Sequence, residues 1–186
     1  MRSNSKGLAV KIKAILGQQI TAACKGSIVP VSFLAGLISV ENAQVNPLAY
    51  RFERGVYDKL KALRNPLKFW RREWNGITPA DLKGLSDDAL VNLSTSFGYT
   101  QIMGWWAIVM SKRLTRSITV ADIRDPKKHL DIAVLLLNLT ARRHLTSYAY
   151  GDTLRIWNTG SSTGKTYDPD YVPNALAVMN DYKKTL

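Results

Sequence analysis

Apolar residues recur at intervals of three and four along most of this 186-residue chain, and this periodicity restricts its fold more than any other feature. Residues spaced in this way lie on one face of an α-helix. Segment 8–24 is the clearest example, with Leu8, Ile12, Ile15, Leu16 and Ile20. No alternation of apolar and polar residues convincingly predicts a strand. We therefore expect one all-α domain of seven to nine helices over residues 1–186, with residues 1–26 forming an amphipathic helix packed on it.

A second helix is predicted to begin near Pro30, because proline suits a first helical turn. The spacing i, i+3, i+4 and i+7 places Glu41 on the same face as Leu34, Leu37 and Ile38. Loss of hydration on such a face raises the pKa of a carboxylic acid, and a protonated acid can protonate the leaving oxygen of a glycosidic bond. Periodicity alone favours a plainer alternative, in which Glu41 reaches solvent at the helix end or pairs with an arginine.

Capping residues predict where later helices begin. Ser86 is the expected cap of one helix, and a further helix resumes after Gly104. Asp125 and Pro126 together predict the start of a long helix, and Asp152 is expected to cap a short one. The tryptophans Trp105 and Trp106 are interpreted as core residues.

The net charge of +12 favours polyanionic partners, which include nucleic acid, anionic membrane surfaces and acidic cell-wall polymers. No apolar run is long enough to span a bilayer. Lys11 and Lys13 interrupt the apolar core that a signal peptide needs, so we expect none. Cys24, the only cysteine, excludes an intramolecular disulfide and is expected to be a small, half-buried filler.

Glu53 is a second candidate carboxylate. Two carboxylates can act as acid and base in an inverting glycosidase, where they stand roughly 6.5–9.5 Å apart. The alternative, an ion pair of Glu53 with Arg51 or Arg54, is equally consistent with the sequence. The two histidines, His129 and His144, are expected at the surface, and neither has the spacing of a zinc ligand set. We expect no metal and no cofactor.

Five motifs in order resemble those of lytic transglycosylases and goose-type lysozymes, above all the phage-type branch. The segment LAGLISVEN with NPLAYRFERGVY is similar to the family's catalytic helix and the turn after it. STSFGYTQIMGWWA resembles the S-x-G-L-M-Q-I-M-G turn, and RDPKKHLDIAVLLLNLTARRH resembles the D-P-x-x-N-L helix. DTLRIWNTGSSTG resembles the A-L-A-x-Y-N-A-G turn, and DPDYVPNALAVM the terminal Y-V-x-x-V segment. The motifs extend over residues 30 to 182.

The resemblance implies roles for individual residues. Glu41 takes the place of the family's single essential acid, and Glu53 that of a second carboxylate near it. Asn42 replaces the serine that follows the acid, and Trp157 replaces a tyrosine and so lacks its phenolic hydroxyl. The residues expected to bind substrate are Asn42, Tyr99, Gln101, Met103, Tyr150, Trp157 and Asn158.

The resemblance also implies a lysozyme-like helical fold with a substrate groove and an enzyme that cuts the β-1,4 bond between N-acetylmuramic acid and N-acetylglucosamine. A lytic transglycosylase would form a 1,6-anhydromuramoyl product, whereas a muramidase would use Glu41 and Glu53 to add water. The expected partners are peptidoglycan glycan strands and anionic envelope polymers. We expect a monomeric phage endolysin that acts on the cell wall after release from the cytoplasm.

A basic, helical nucleic-acid-binding protein is the alternative from another class. It explains the charge and the cluster Lys68-Phe69-Trp70-Arg71-Arg72. It does not explain an acid on an apolar helical face. A related enzyme that cuts chitin is a third possibility, which a polymer without muramic acid would distinguish.

Overall fold

A computed structural model describes residues 4–65 and 73–186 of the chain, so the cluster at 68–72 lies outside the described residues. The described residues form ten helices and three short strands. The helices are α1 Ser5–Cys24, α2 Val31–Glu41, α3 Arg54–Arg64, α4 Pro79–Leu82, α5 Asp87–Leu93, α6 Trp106–Leu114, α7 Val120–Arg124, α8 His129–Thr146, α9 Tyr150–Thr159 and α10 Tyr171–Lys183. The strands are β1 Tyr50–Phe52, β2 Thr95–Phe97 and β3 Ile102–Met103. The prediction of a mainly helical chain is confirmed, and the three strands were not predicted.

The chain divides into two compact units. The first unit comprises Met1–Asn46 and Leu130–Leu186, and the second comprises Pro47–His129. In the described part of the chain, no helix combines the length and the apolar character that a membrane span requires.

Helices α1, α2 and α10 form the centre of the first unit. Residues 32–39 of α2 are all buried, so this helix is enclosed on every face and not only along the predicted stripe. Its enclosure follows from contacts with both α1 and α10. In α1, Ile12, Leu16 and Ile20 are buried as expected, but Ile15 is 50% exposed, because the packed face follows a spacing of four residues.

The second unit combines a small sheet with a helical core. The sheet is antiparallel with the order β1-β2-β3. Trp105 is buried in the core, and its ring stacks on that of Trp106 at 4.4 Å between centroids. The prediction of a core position is therefore confirmed for Trp105, while Trp106 is partly buried and packs against the core.

Several predicted helix starts differ from the structure. Ser86 caps α5 as expected, because its hydroxyl accepts the Ala89 N–H at 3.1 Å. Asp125 instead ends α7, and a three-residue turn separates it from α8. Its side chain accepts the Lys127 N–H, so it caps this turn rather than the long helix. Asp152 lies inside the first turn of α9, whose cap is Ala149.

Candidate functional site

Close packing of α2 against α10 positions the predicted catalytic acid. Gly36 faces the backbone of Ala175, and a Cβ added at Gly36 would lie 2.5 Å from the Ala175 carbonyl oxygen. A glycine is therefore needed for the two helices to approach this closely. Glu41 lies about one turn beyond this contact, towards the C-terminus of α2. Tyr171 lies about one turn from it, towards the N-terminus of α10. The two helices thus run antiparallel and bring together residues 130 positions apart.

Glu41 is the last residue of α2 and is partly buried. The Tyr171 hydroxyl donates a short hydrogen bond to Glu41 Oε1. The C-terminus of a helix is the negative end of its dipole, which disfavours a further negative charge there. The carboxyl group is thus not fully exposed, and its Oε1 accepts a hydrogen bond from a phenol.

Tyr171 is 6% exposed, and its hydroxyl contacts both Glu41 and Asn158. Burial, the charge of Glu41 and the hydrogen bond to it raise the pKa of the Tyr171 hydroxyl far above its ordinary range, while a hydrogen bond from Asn158 acts in the opposite direction. The phenol therefore keeps its proton at physiological pH and acts as a fixed donor to the carboxyl group. Glu41, Tyr171 and Asn158 form what we call the acid cluster.

Asn42, which follows the acid, closes the turn after α2. Its Nδ2 donates to the Asn46 carbonyl at 2.6 Å, and its Oδ1 accepts the Asn46 N–H at 3.1 Å. These bonds fix the backbone directly after Glu41, where the chain leaves α2. A contact of Asn42 with substrate stays a prediction.

The aromatic residues expected near the acid lie on α9. Trp157 is half-buried and precedes Asn158, so it is adjacent in sequence to the acid cluster. Tyr150 packs its ring on Phe33 at 5.5 Å between centroids, at the opposite end of α2. Glu41 lies eight positions after Phe33 in the helix, which corresponds to about 12 Å along its axis. The structure joins Asn158 to the acid through the Tyr171 hydroxyl, whereas the contact of Tyr150 with Phe33 does not bring Tyr150 to the acid.

In the second unit, β1 and β2 align polar side chains on one face of the sheet. Arg51 pairs across the strands with Ser96. Its Nε donates to Glu53 Oε1 at 2.5 Å, so the sequence alternative of an Arg51–Glu53 ion pair is present. Both side chains are partly open to solvent, at 69% and 36%, which makes the pair a weak contribution to stability.

Gln101 lies in the turn between β2 and β3, and its side chain is tied to this turn at two points. Ser96 Oγ donates to Gln101 Oε1 at 2.8 Å, and Gln101 Nε2 donates to the Gly98 carbonyl at 2.9 Å. The backbone of Gln101 is left-handed, with φ of 51°, which is costly for a residue with a side chain. Met103, in β3, is half-buried and pairs with Ser96. The structure thus groups Gln101, Met103 and Ser96 around one turn.

Alternation along β1 places aromatic residues on the other face of the sheet. Tyr50 is 75% exposed and Phe52 is 42% exposed. They border a cavity of about 470 Å³ together with Leu48, Val91, Phe97 and Arg124. An exposed apolar surface of this kind commonly marks a contact with a ligand or partner, and flat rings suit the C–H faces of sugars.

The prediction that His129 lies at the surface is wrong: it is 1% exposed. Nδ1 lies 2.8 Å from the Ile123 carbonyl oxygen, and Nε2 lies 3.1 Å from the Thr100 backbone nitrogen. Tyr99, a predicted substrate residue, is also buried and meets the His129 ring edge-on at 5.9 Å. Burial lowers the pKa of His129 to about 4.

Sequence reasoning did not single out Tyr171 or Ser96. The signal for Tyr171 was present, because it is the tyrosine of the DPDYVPNALAVM segment. Ser96 carried no signal beyond its place in the STSFGYTQIMGWWA motif. Within the described ranges, no three metal-ligating side chains come together.

Comparison of the chain with protein-family models, with curated proteins and with solved structures gives no match. The family resemblance therefore stays a prediction based on the five motifs.

Proposed function

We propose that this protein cleaves the glycan strands of peptidoglycan, with Glu41 as its catalytic acid, on a lysozyme-like helical fold. The observation that carries the proposal is the hydrogen bond from the buried Tyr171 hydroxyl to Glu41 at the end of an enclosed helix. Tyr171 is 6% exposed, so the packing of α10 on α2 fixes this donor, and its hydroxyl orients Oε1 of the carboxyl group.

The proposed reaction begins when Glu41 gives its proton to the β-1,4 oxygen between N-acetylmuramic acid and N-acetylglucosamine, and the bond from C1 to that oxygen breaks. The Glu41 carboxylate then takes the proton of the muramoyl C6 hydroxyl, whose oxygen bonds to C1 and gives a 1,6-anhydro end. The proton count balances, and the sugar supplies the nucleophile. Tyr171 holds the same carboxyl group in both steps.

We propose the one-acid lyase because the sugar supplies its own nucleophile, so that Glu53 is not required. In the ion pair of Glu53 with Arg51, Arg51 Nε contacts Oε1, and a muramidase that uses Glu53 is the alternative that the reaction products distinguish. The net charge of +12 supports an anionic polymer as substrate, since a basic surface raises the encounter rate with it. A phage endolysin is the biological role that we propose.

Mass spectrometry of purified sacculi digested by the protein tests the proposal. We expect muropeptides with an anhydro end, which are lighter by one water than hydrolytic products. Products of hydrolytic mass would support the muramidase instead. Binding to DNA at moderate salt, without any release of muropeptides, would support the nucleic-acid alternative and overturn the proposed enzyme.

Glu53→Gln is expected to retain activity within about threefold, because the lyase needs one acid and a surface ion pair contributes little. Release of soluble muropeptides from sacculi measures this directly. Arg51→Gln is the matched control, since it breaks the same ion pair from the other side. A loss of activity in the Glu53 variant alone, with folding intact by circular dichroism, would contradict the one-acid mechanism.

Tyr171→Phe is expected to lower kcat about 10- to 100-fold, because the hydroxyl bonds to the ionised form that Glu41 takes between the two steps, and such a bond is worth about 1.5–3 kcal/mol. The ring stays in place, so packing between α2 and α10 is preserved. Initial rates of muropeptide release measure the effect. Tyr182→Phe removes a hydroxyl from the same helix and serves as the control. Equal rates for wild type and the Tyr171 variant would remove the phenol from the mechanism.

A further inference from the structure

Two contacts join the turn between β2 and β3 to His129. The Thr100 N–H donates to His129 Nε2 at 3.1 Å, and Thr100 Oγ1 lies 2.9 Å from the same nitrogen. On its other side, the ring reaches the Ile123 carbonyl through Nδ1 at 2.8 Å. The imidazole therefore links α7 to the turn that carries Gln101.

These contacts define the protonation state of the ring. A backbone N–H can only donate, so Nε2 must present its lone pair to Thr100. The single proton of the neutral imidazole is then on Nδ1, where it can be donated to the Ile123 carbonyl. An imidazolium ion could not accept the Thr100 N–H. The neutral ring thus donates a hydrogen bond through Nδ1 and accepts one through Nε2.

The ring also fills the space beneath the turn. A Cβ added at Gly98 would lie 2.6 Å from two ring atoms of His129, so only glycine leaves room for the imidazole. Gly98 has φ of +73°, which glycine adopts without strain. The Gly98 carbonyl in turn accepts a hydrogen bond from Gln101 Nε2 at 2.9 Å. A direct chain of contacts therefore leads from the histidine to the glutamine amide.

We propose that His129 is a positioning residue that places the Gln101 amide for an oxygen of the glycan substrate. One Nε2–H of Gln101 is used by Gly98, and the second has no partner among residues 4–65 and 73–186. This N–H can donate to a sugar hydroxyl or N-acetyl oxygen. The assignment rests on the proposed function, since it takes Gln101 as a substrate residue.

Two amide variants separate the two hydrogen bonds of the ring. His129→Gln extends an oxygen to the position of Nε2 and can still accept the Thr100 N–H. His129→Asn places its amide near the position of Nδ1 and can still donate to Ile123, but it is too short to reach Thr100. We expect the Asn variant to raise KM for soluble glycan chains about tenfold with kcat within about twofold, and the Gln variant to restore most of the loss. His144→Gln, at the other histidine, should change neither constant.

A double-mutant cycle tests the path through Gln101. Gln101→Ala alone should raise KM about tenfold, and combining it with His129→Asn should add little, because both remove the same contact. Additive effects of the two substitutions would overturn the positioning role. A wild-type KM in the Asn variant would overturn it as well.

Nuclear magnetic resonance gives a readout that does not depend on activity. Wild-type His129 should show ¹⁵N shifts of a neutral ring protonated at Nδ1, and the Thr100 amide should exchange slowly with solvent. Exchange should accelerate in the Asn variant and stay slow in the Gln variant. If sacculi are not cleaved but these signals are found, the proposed function fails while the anchoring of the turn holds. A ring protonated at Nε2 would overturn the anchor itself.

Discussion

Replacing Glu41 with glutamine is expected to lower the rate of wall cleavage on the order of 1,000-fold, the contribution of a positioned general acid. Glutamine has nearly the shape of glutamic acid but no proton to give to the leaving oxygen. Its carbonyl oxygen can still accept the hydrogen bond from Tyr171, so the packing of α2 on α10 should persist. Thermal stability should hold or rise, because an ionisable group leaves a partly buried position.

The measurement is muropeptide release from sacculi, together with a thermal unfolding curve for each variant. Glu73→Gln is the matched control, since Glu73 is exposed and its Oε1 accepts the Gly76 N–H, a contact that glutamine can keep. That control should cleave at the wild-type rate. Ordinary turnover by the Glu41 variant would falsify the mechanism, whatever happens to its stability.

The sequence predicted the place of Glu41 but not its partner. Spacing within one helix is sufficient to put Glu41 beside Leu34, Leu37 and Ile38, because helical geometry is local. Tyr171 is 130 residues away, and only the packing of α10 on α2 brings it to the carboxyl group. No periodicity within either helix contains that information. The motif order did indicate the segment of Tyr171, although not its contact.

The three strands and the burial of His129 were not predicted, because local sequence patterns do not determine them. Strands of two or three residues are too short to show an alternating pattern, and β2 is buried on both faces. His129 was predicted at the surface from its basic neighbours Lys127 and Lys128. Its burial depends on acceptors and donors supplied by Thr100 and Ile123, which the fold brings together.

Acidification from pH 6.5 to pH 4 is expected to remove roughly 3 kcal/mol of folding stability through His129 alone. Burial lowers the pKa of this ring from 6.5 to about 4 in the folded protein. Between these two values the unfolded chain binds a proton that the folded chain does not, so stability falls as the pH falls. A difference of about 2.5 pH units at 1.36 kcal/mol each gives this magnitude. Well above pH 6.5 the ring is neutral in both states and the contribution is constant.

Among the described residues, no carboxylate forms a hydrogen bond with the His129 ring. Tyr99 is the one titratable side chain in ring contact with it. Burial raises the pKa of Tyr99, so Tyr99 stays neutral in this pH range. Carboxylates with lowered pKa values act in a different range. Asp87, whose pKa is held at about 2 by its bonds with Lys61 and Arg64, contributes stability that is lost only below about pH 3.8.

Denaturant unfolding curves at half-unit steps between pH 7 and pH 4 therefore isolate the histidine. The wild-type free energy of unfolding should decrease along this range, with a slope approaching 1.36 kcal/mol per pH unit. His129→Gln should be nearly flat, because glutamine does not titrate and can still accept the Thr100 N–H. His144→Gln should follow the wild type. A wild-type curve as flat as that of the His129 variant would show that the ring is not held neutral by the fold, and the turn that carries Gln101 would need another anchor.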